Sequence, residues 1–211
     1  MIACVQGSLF GCGNHIGPRP LDGSVRRISL DAGAWVDLCL GWMAGADRLF
    51  EELLESVTWQ AERRPMYDRL VDVPRLIAQY GDGADLPAPG LVEARHALAR
   101  HYRDDCGEQL KGAGMCLYRD GRDSVAWHGD RVGRERDTET LVAIVSLGAA
   151  RRLLLRPRGG GGATRRFELA AGDLLVMGGM CQRRWEHSIP KTALPVGPRI
   201  SVQFRSASRG F

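Results

Sequence analysis

Residues 140–177 read TLVAIVSLGAARRLLLRPRGGGGATRRFELAAGDLLVM. Four short β-type runs sit in this stretch, at 140–147, 152–156, 165–169 and 173–177, separated by Gly148, Gly159 to Gly162 and Gly172. Short apolar and β-branched runs bounded by glycine have strand length rather than helix length. The glycine run at 159–162 reads as a hairpin loop, because a phosphate cradle needs a helix after its glycines and none follows. The same texture continues outward at 114–118, 124–128 and 199–205. Upstream the period changes. Leu49, Phe50, Leu53 and Leu54 in GADRLFEELLES (45–56) fall at helical spacing, and so do Leu91, Ala94, Leu98 and His101 within 90–104. Helices first and many short strands after predict an α+β fold, with a jelly roll or small barrel in the strand-rich half.

The rest of the chain fits one domain. Residues 25–30 and 35–40 read as short strands. Residues 57–81 read as strand and hairpin, with Pro65 and Pro74 excluding a helix, and the Pro-rich DLPAPG at 85–90 reads as a linker. Residues 1–23 carry Gly and Pro without a period and are expected to be a loosely ordered extension to a single domain over 24–211. At 211 residues, 44% hydrophobic and 26% charged, the chain can bury a core without disulfide staples. No apolar run approaches the about 20 residues of a membrane span, and a monomer is expected. The six cysteines form no C-x-x-C pair, and the first residues lack the pattern of a secretory signal. Reduced thiols in a cytoplasmic protein are the expectation.

Charge is unevenly placed. Residues 1–115 hold 12 basic and 16 acidic side chains, and residues 116–211 hold 17 and 9. Codon bias accounts for Arg over Lys but not for the asymmetry, which hints at a polyanionic partner.

Two histidines stand out among five. His128 and Asp130 in AWHGD are two apart, so on a strand they project to one face. With His187 from RRWEHSIP they would complete two imidazoles and a carboxylate, the facial set that leaves ferrous iron open positions for oxygen chemistry. The same H-x-D pattern also fits a surface pair on a hairpin. In PRISVQFR (198–205), Arg199, Ser201, Gln203 and Arg205 share one face and Ile200, Val202 and Phe204 the other. Two arginines turned into a barrel need anionic partners, and a dicarboxylate suits guanidinium geometry. A solvent-facing polar edge would give the same alternation.

Taken in order, CLYRDGRDSVAWHGD (116–130), VAIVSLGAARRLLLRP (142–157), GDLLVMGGMCQRRWEHSIPK (172–191) and PRISVQFR resemble an AlkB-type iron(II)/2-oxoglutarate dioxygenase. The resemblance covers about 56–206 and is strongest over 116–205. It implies a double-stranded β-helix (jelly roll) core over 114–206, with supporting N-terminal helices and a nucleotide-recognition-like hairpin region at about 56–85. VPRLIAQYGD (73–82) is similar to the segment before the base-reading hairpin of eukaryotic repair members. By resemblance, His128, Asp130 and His187 are the Fe(II) ligands. Arg199 holds the distal carboxylate of 2-oxoglutarate, Arg205 lies near its C1 end, and Tyr118 contacts it as well. The implied reaction uses dioxygen, hydroxylates an N-alkyl carbon of a nucleobase in alkylated DNA or RNA, and releases aldehyde, succinate and carbon dioxide.

Three departures qualify the match. Cys116 stands where many members carry an Asn that contacts 2-oxoglutarate, Ser201 stands where some carry a second Asn, and Arg131-Val132-Gly133 replaces an acidic residue often found two or three positions after the Asp. The last departure leaves open the same chemistry on a protein or small molecule. A non-catalytic nucleic-acid-binding protein is the reading from a different class. For the substrate, Tyr80, Tyr67 and Trp59 are candidate stacking platforms and Arg75 and Arg131 candidate phosphate contacts. The absence of a second aromatic in DGADLPAP favours single-stranded nucleic acid.

Overall fold

A computed structural model describes residues 15–66, 69–106, 110–129 and 140–206. Its strands are β1 (Gly17–Pro18), β2 (Arg26–Ser29), β3 (Ala34–Cys39), β4 (Met43–Ala44), β5 (Gln60–Met66), β6 (Arg69–Tyr80), β7 (Leu110–Tyr118), β8 (Val125–His128), β9 (Val142–Gly148), β10 (Arg151–Pro157), β11 (Arg165–Leu169), β12 (Leu174–Gly179), β13 (Trp185–Ile189) and β14 (Arg199–Ser206). The helices are α1 (Ala46–Ser56), α2 (Pro89–His101), α3 (Arg103–Cys106) and α4 (Cys181–Arg184). An eight-stranded sheet runs β2-β3-β12-β9-β14-β7-β6-β5, and a four-stranded sheet runs β11-β10-β13-β8. Their neighbouring strands pair antiparallel.

The large sheet is buried on both faces. Its outer face carries Met115 and Leu117, Ala143, Val145 and Leu147, and Ile200, Val202 and Phe204, packed with Leu49 and Leu53 of α1 and Leu91, Ala94 and Leu98 of α2. Its inner face carries Cys116 and Tyr118, Val142 and Ile144, and Leu175 and Met177, packed with Leu153, Leu155, Phe167, Trp185 and Ile189 of the small sheet. A strand covered on both sides needs no polar alternation, which is why β9 reads as the near-continuous run VAIVSL. This two-sheet sandwich with helices on one outer face is the α+β jelly roll expected from the sequence.

Local chemistry explains the helices. Pro89 starts α2, where its missing N–H is no loss. Leu49 and Leu53 of α1 are fully buried, but Leu54 is exposed, and in α2 the buried stripe omits His101, which faces solvent. The apolar stripe of each helix is thus narrower than its sequence period implies. In the β10–β11 hairpin, Gly159, Gly160 and Gly161 have φ of 81, 78 and 85°, a backbone region that residues with a Cβ rarely enter. That agrees with the hairpin loop read there.

Two local expectations change. Residues 1–14 of the proposed extension lie outside the described residues, but 15–23 are built into the fold. Gly17 and Pro18 pair with Ala44 and Met43, and Leu21 is buried. Strand β13 adds to the β-type runs read from the sequence, and four of its five residues, Trp185, His187, Ser188 and Ile189, are buried.

One polar knot ties the edge hairpin to the helices. Asp37 of β3 is buried and accepts hydrogen bonds from Arg27 Nε and Nη2, both at 2.9 Å, and from the Tyr102 hydroxyl at 3.0 Å. Burial, reinforced by Asp37, raises the Tyr102 pKa. Trp35 stacks on Tyr102 at 5.9 Å between ring centroids, with the Arg27 guanidinium 3.9 Å from its ring. The ring lies so close over Gly178 that a Cβ there would collide with Trp35 Cζ2. Replacing Asp37 with Ala removes the acceptor of the Tyr102 hydroxyl bond and leaves the Arg27 guanidinium with Asp105 alone, at 3.2 Å. The expected loss is about 2–3 kcal/mol in urea unfolding, against about 1–1.5 kcal/mol for Tyr102→Phe. Equal losses from the two variants would contradict this picture of the knot.

Candidate active site

His128 ends β8 and His187 lies in the middle of β13. They are direct Cα partners across the two strands, followed by a register shift before Ile189. Directly opposed residues project to the same face of a sheet, and the two imidazole centroids are 4.2 Å apart with planes tilted by 48°. His128 Nδ1 is 2.8 Å from the Ala126 carbonyl oxygen. A carbonyl only accepts, so Nδ1 donates its proton there and Nε2 keeps its lone pair. His187 is buried. Gly129 follows His128 at a tight place, where a Cβ would meet Arg158 Nη2 at 2.6 Å and the Gln182 carbonyl oxygen at 3.1 Å. Asp130 itself, like Arg131 and Tyr67, lies outside the described residues.

The inner face of the large sheet supplies the other half of the site. Arg199 begins β14 opposite Tyr118 of β7 and Gly148 of β9. It is fully buried. Its Nε donates to Ser146 Oγ at 2.9 Å, whereas Nη1 and Nη2 have no hydrogen-bond partner among the described residues. Burial lowers the Arg199 pKa, but guanidinium stays charged in proteins. The Tyr118 ring lies near two cations, 5.4 Å from the Arg199 guanidinium carbon and 5.6 Å from that of Arg151. Burial raises the Tyr118 pKa, so its hydroxyl remains a neutral donor. Arg151 is already satisfied by the carbonyls of Asp120, Asp123 and Pro190 at 2.8–3.0 Å. A buried cation with two idle donors is costly unless an anion meets it. The residues present therefore fit a carboxylate ligand at Arg199, and the histidine pair fits a divalent metal.

Further along β14 the polar series continues as the sequence alternation predicts. Arg205 Nη2 donates to Gln203 Oε1 at 2.8 Å, and Gln203 Nε2 donates to Ser201 Oγ at 3.1 Å. Cys116 is a Cα partner of Ser201 and lies 3.5 Å from the same amide.

The substrate-side candidates fall elsewhere. Tyr80 packs with Leu76 and Ala78 against the helix-side core, which turns it away from the histidine pair. The cause is parity: on β6 the inner face belongs to odd residues, and Ile77 packs into the inter-sheet core. Trp59 likewise packs on the helix side. Arg75 is half-buried, with Nη1 3.4 Å from the Ser124 carbonyl oxygen. It is one of the charges that act on Tyr118, so it looks into the sandwich instead of out towards a phosphate. Ser146 and Arg151 were not singled out from sequence. The one signal for Ser146 is a lone hydroxyl inside an apolar run.

Comparison with known proteins agrees with this layout. Residues 43–205 match the family model of the 2OG-Fe(II) oxygenase superfamily. The chain is 30% identical to alpha-ketoglutarate-dependent dioxygenase alkB homolog 3 of Bos taurus over 81% of its own length and 65% of that protein's. With the Homo sapiens protein of the same name it shares 29% identity, over 90% of this chain and 73% of the relative. It is also 29% identical to DNA oxidative demethylase ALKBH2 of Homo sapiens, over 77% and 69% of the two lengths. Among solved structures, OsALKBH1 matches in fold with a TM-score of 0.55 and 14% identity, over 86% of this chain and all of that one. The chain thus belongs to the 2OG-Fe(II) oxygenase superfamily, and within it is similar to AlkB homologues.

Proposed function

We propose that the chain oxidatively removes N-linked alkyl groups from nucleobases in DNA or RNA, preferably single-stranded, releasing aldehyde, succinate and carbon dioxide. The observation that carries the co-substrate reading is the buried Arg199 guanidinium, whose two terminal nitrogens have no acceptor among the described residues. The nucleic-acid reading is supported by the names of the relatives, one of which is called a DNA oxidative demethylase, and by the basic excess of residues 116–211.

Each residue has a physical task in this reading. His128 and His187 bind the metal, with Asp130 as the third ligand that the family resemblance implies. The bond from His128 Nδ1–H to the Ala126 carbonyl fixes the tautomer and ring orientation, as supporting hydrogen bonds do in metal sites. Bound Fe(II), with 2-oxoglutarate and dioxygen, supplies the oxidation of the alkyl carbon. Arg199 grips the distal carboxylate with two parallel N–H donors, and Ser146 holds its Nε so that those donors cannot swing away. Tyr118, kept protonated by burial, offers a further donor at the same end. Leu153, Leu155, Leu175 and Met177 line the inter-sheet core and keep water from the reacting centre.

Three measurements test this. Methylated single-stranded oligonucleotide with Fe(II) and 2-oxoglutarate should yield formaldehyde and succinate in equal amounts. Turnover stimulated by small N-methyl compounds and not by oligonucleotides would instead favour a small-molecule substrate. His187→Ala should retain its circular dichroism and lose bound metal, measured as metal per chain by mass spectrometry. A full metal complement in that variant would remove His187 from the ligand set. Arg199→Ala should lower 2-oxoglutarate affinity at least 100-fold by calorimetry with Mn(II), the scale expected when a charge-assisted pair is lost.

A further inference from the structure

Gln203 sits at the centre of the polar series on β14, and the chemistry of its neighbours orients its amide. Arginine has donors only, so the amide atom 2.8 Å from Arg205 Nη2 must be the oxygen Oε1. Nε2 is then turned to Ser201 Oγ at 3.1 Å and Cys116 Sγ at 3.5 Å. The Cα partner of Gln203 on β7 is Gly114, and on β9 it is Ile144. With no side chain at Gly114, the amide can lie along the sheet towards the next row, where Cys116 and Ser201 face each other. Those are the two positions at which the resemblance leads one to expect an asparagine amide and finds a thiol and a hydroxyl instead. Gln203 contributes an amide to this face, in contact with both substituted positions and with Arg205.

We propose that Gln203 is a positioning residue for 2-oxoglutarate, replacing from β14 the amides absent at Cys116 and Ser201. Its Oε1 restrains the Arg205 guanidinium, and its Nε2 holds the Ser201 hydroxyl and Cys116 thiol in one arrangement. Arg205 then meets the C1 end of the co-substrate without losing further side-chain freedom on binding. This rests on the reading that Arg199 and Arg205 hold the co-substrate, so the experiment includes a control for that reading.

The test is anaerobic calorimetric titration of 2-oxoglutarate into the full chain loaded with Mn(II). Gln203→Met keeps the length of the side chain and removes the amide. It should weaken binding about tenfold, the effect of one lost hydrogen bond to a charged group, with the melting temperature of the ligand-free protein unchanged. In turnover, KM for 2-oxoglutarate should rise while kcat at saturation stays the same. Gln203→Ala should also bind weakly, and adding Cys116→Asn should recover most of the affinity by returning an amide from the facing strand. Wild-type affinity in Gln203→Met, or no recovery in the double variant, overturns the proposal provided Arg199→Ala still abolishes binding. Wild-type affinity in Arg199→Ala would instead remove the underlying site reading.

Discussion

A positive charge sealed between two sheets is the constraint around which the rest of this molecule is arranged. Arg199 is fully buried on a central strand, where the energy of an unpaired charge far exceeds that of any single apolar contact nearby. The fold meets part of the demand by placing Ser146 at its Nε and the Tyr118 ring beside it. It leaves the fork of the guanidinium aimed at nothing the described residues supply. Such a group persists only where the surrounding packing is strong enough to carry its cost.

That packing comes from using one sheet twice. The apolar residues of β14, β9 and β7 on one face join α1 and α2, and the residues between them on the other face line the site. Alternation along a strand thus separates stability from chemistry at single-residue spacing. The helical layer, braced at its edge by Asp37 between Arg27 and Tyr102, anchors strands whose other faces can then carry polar groups.

Much of this was legible before any coordinates. Arg199 and Arg205 on one face of PRISVQFR, the tetraglycine hairpin and the helical spans follow from period and turn chemistry alone. What sequence could not supply was register and parity. His128 and His187 are 59 residues apart, and only the pairing of β8 with β13 makes them direct partners. Tyr80 looked like a stacking platform because it is aromatic and near a loop, but one step of strand parity turned it to the helix side. Arg75, one parity class away, turned inward for the same reason. Strand β13 was harder to read because WEHSI carries polar residues, His187 and Ser188, at positions that the sandwich buries.

With a carboxylate ligand at its fork, Arg199 would also tie the lifetime of the protein to the supply of that ligand. A ligand that binds only the folded chain adds free energy to folding by mass action, about 2.7 kcal/mol at a hundredfold excess over its dissociation constant. Here that ligand would relieve a cost built into the empty fold, so saturation and folding would rise together. Shifts of this size change steady-state abundance through chaperones and proteases. A cell poor in the co-substrate would then hold fewer copies of the enzyme as well as slower ones.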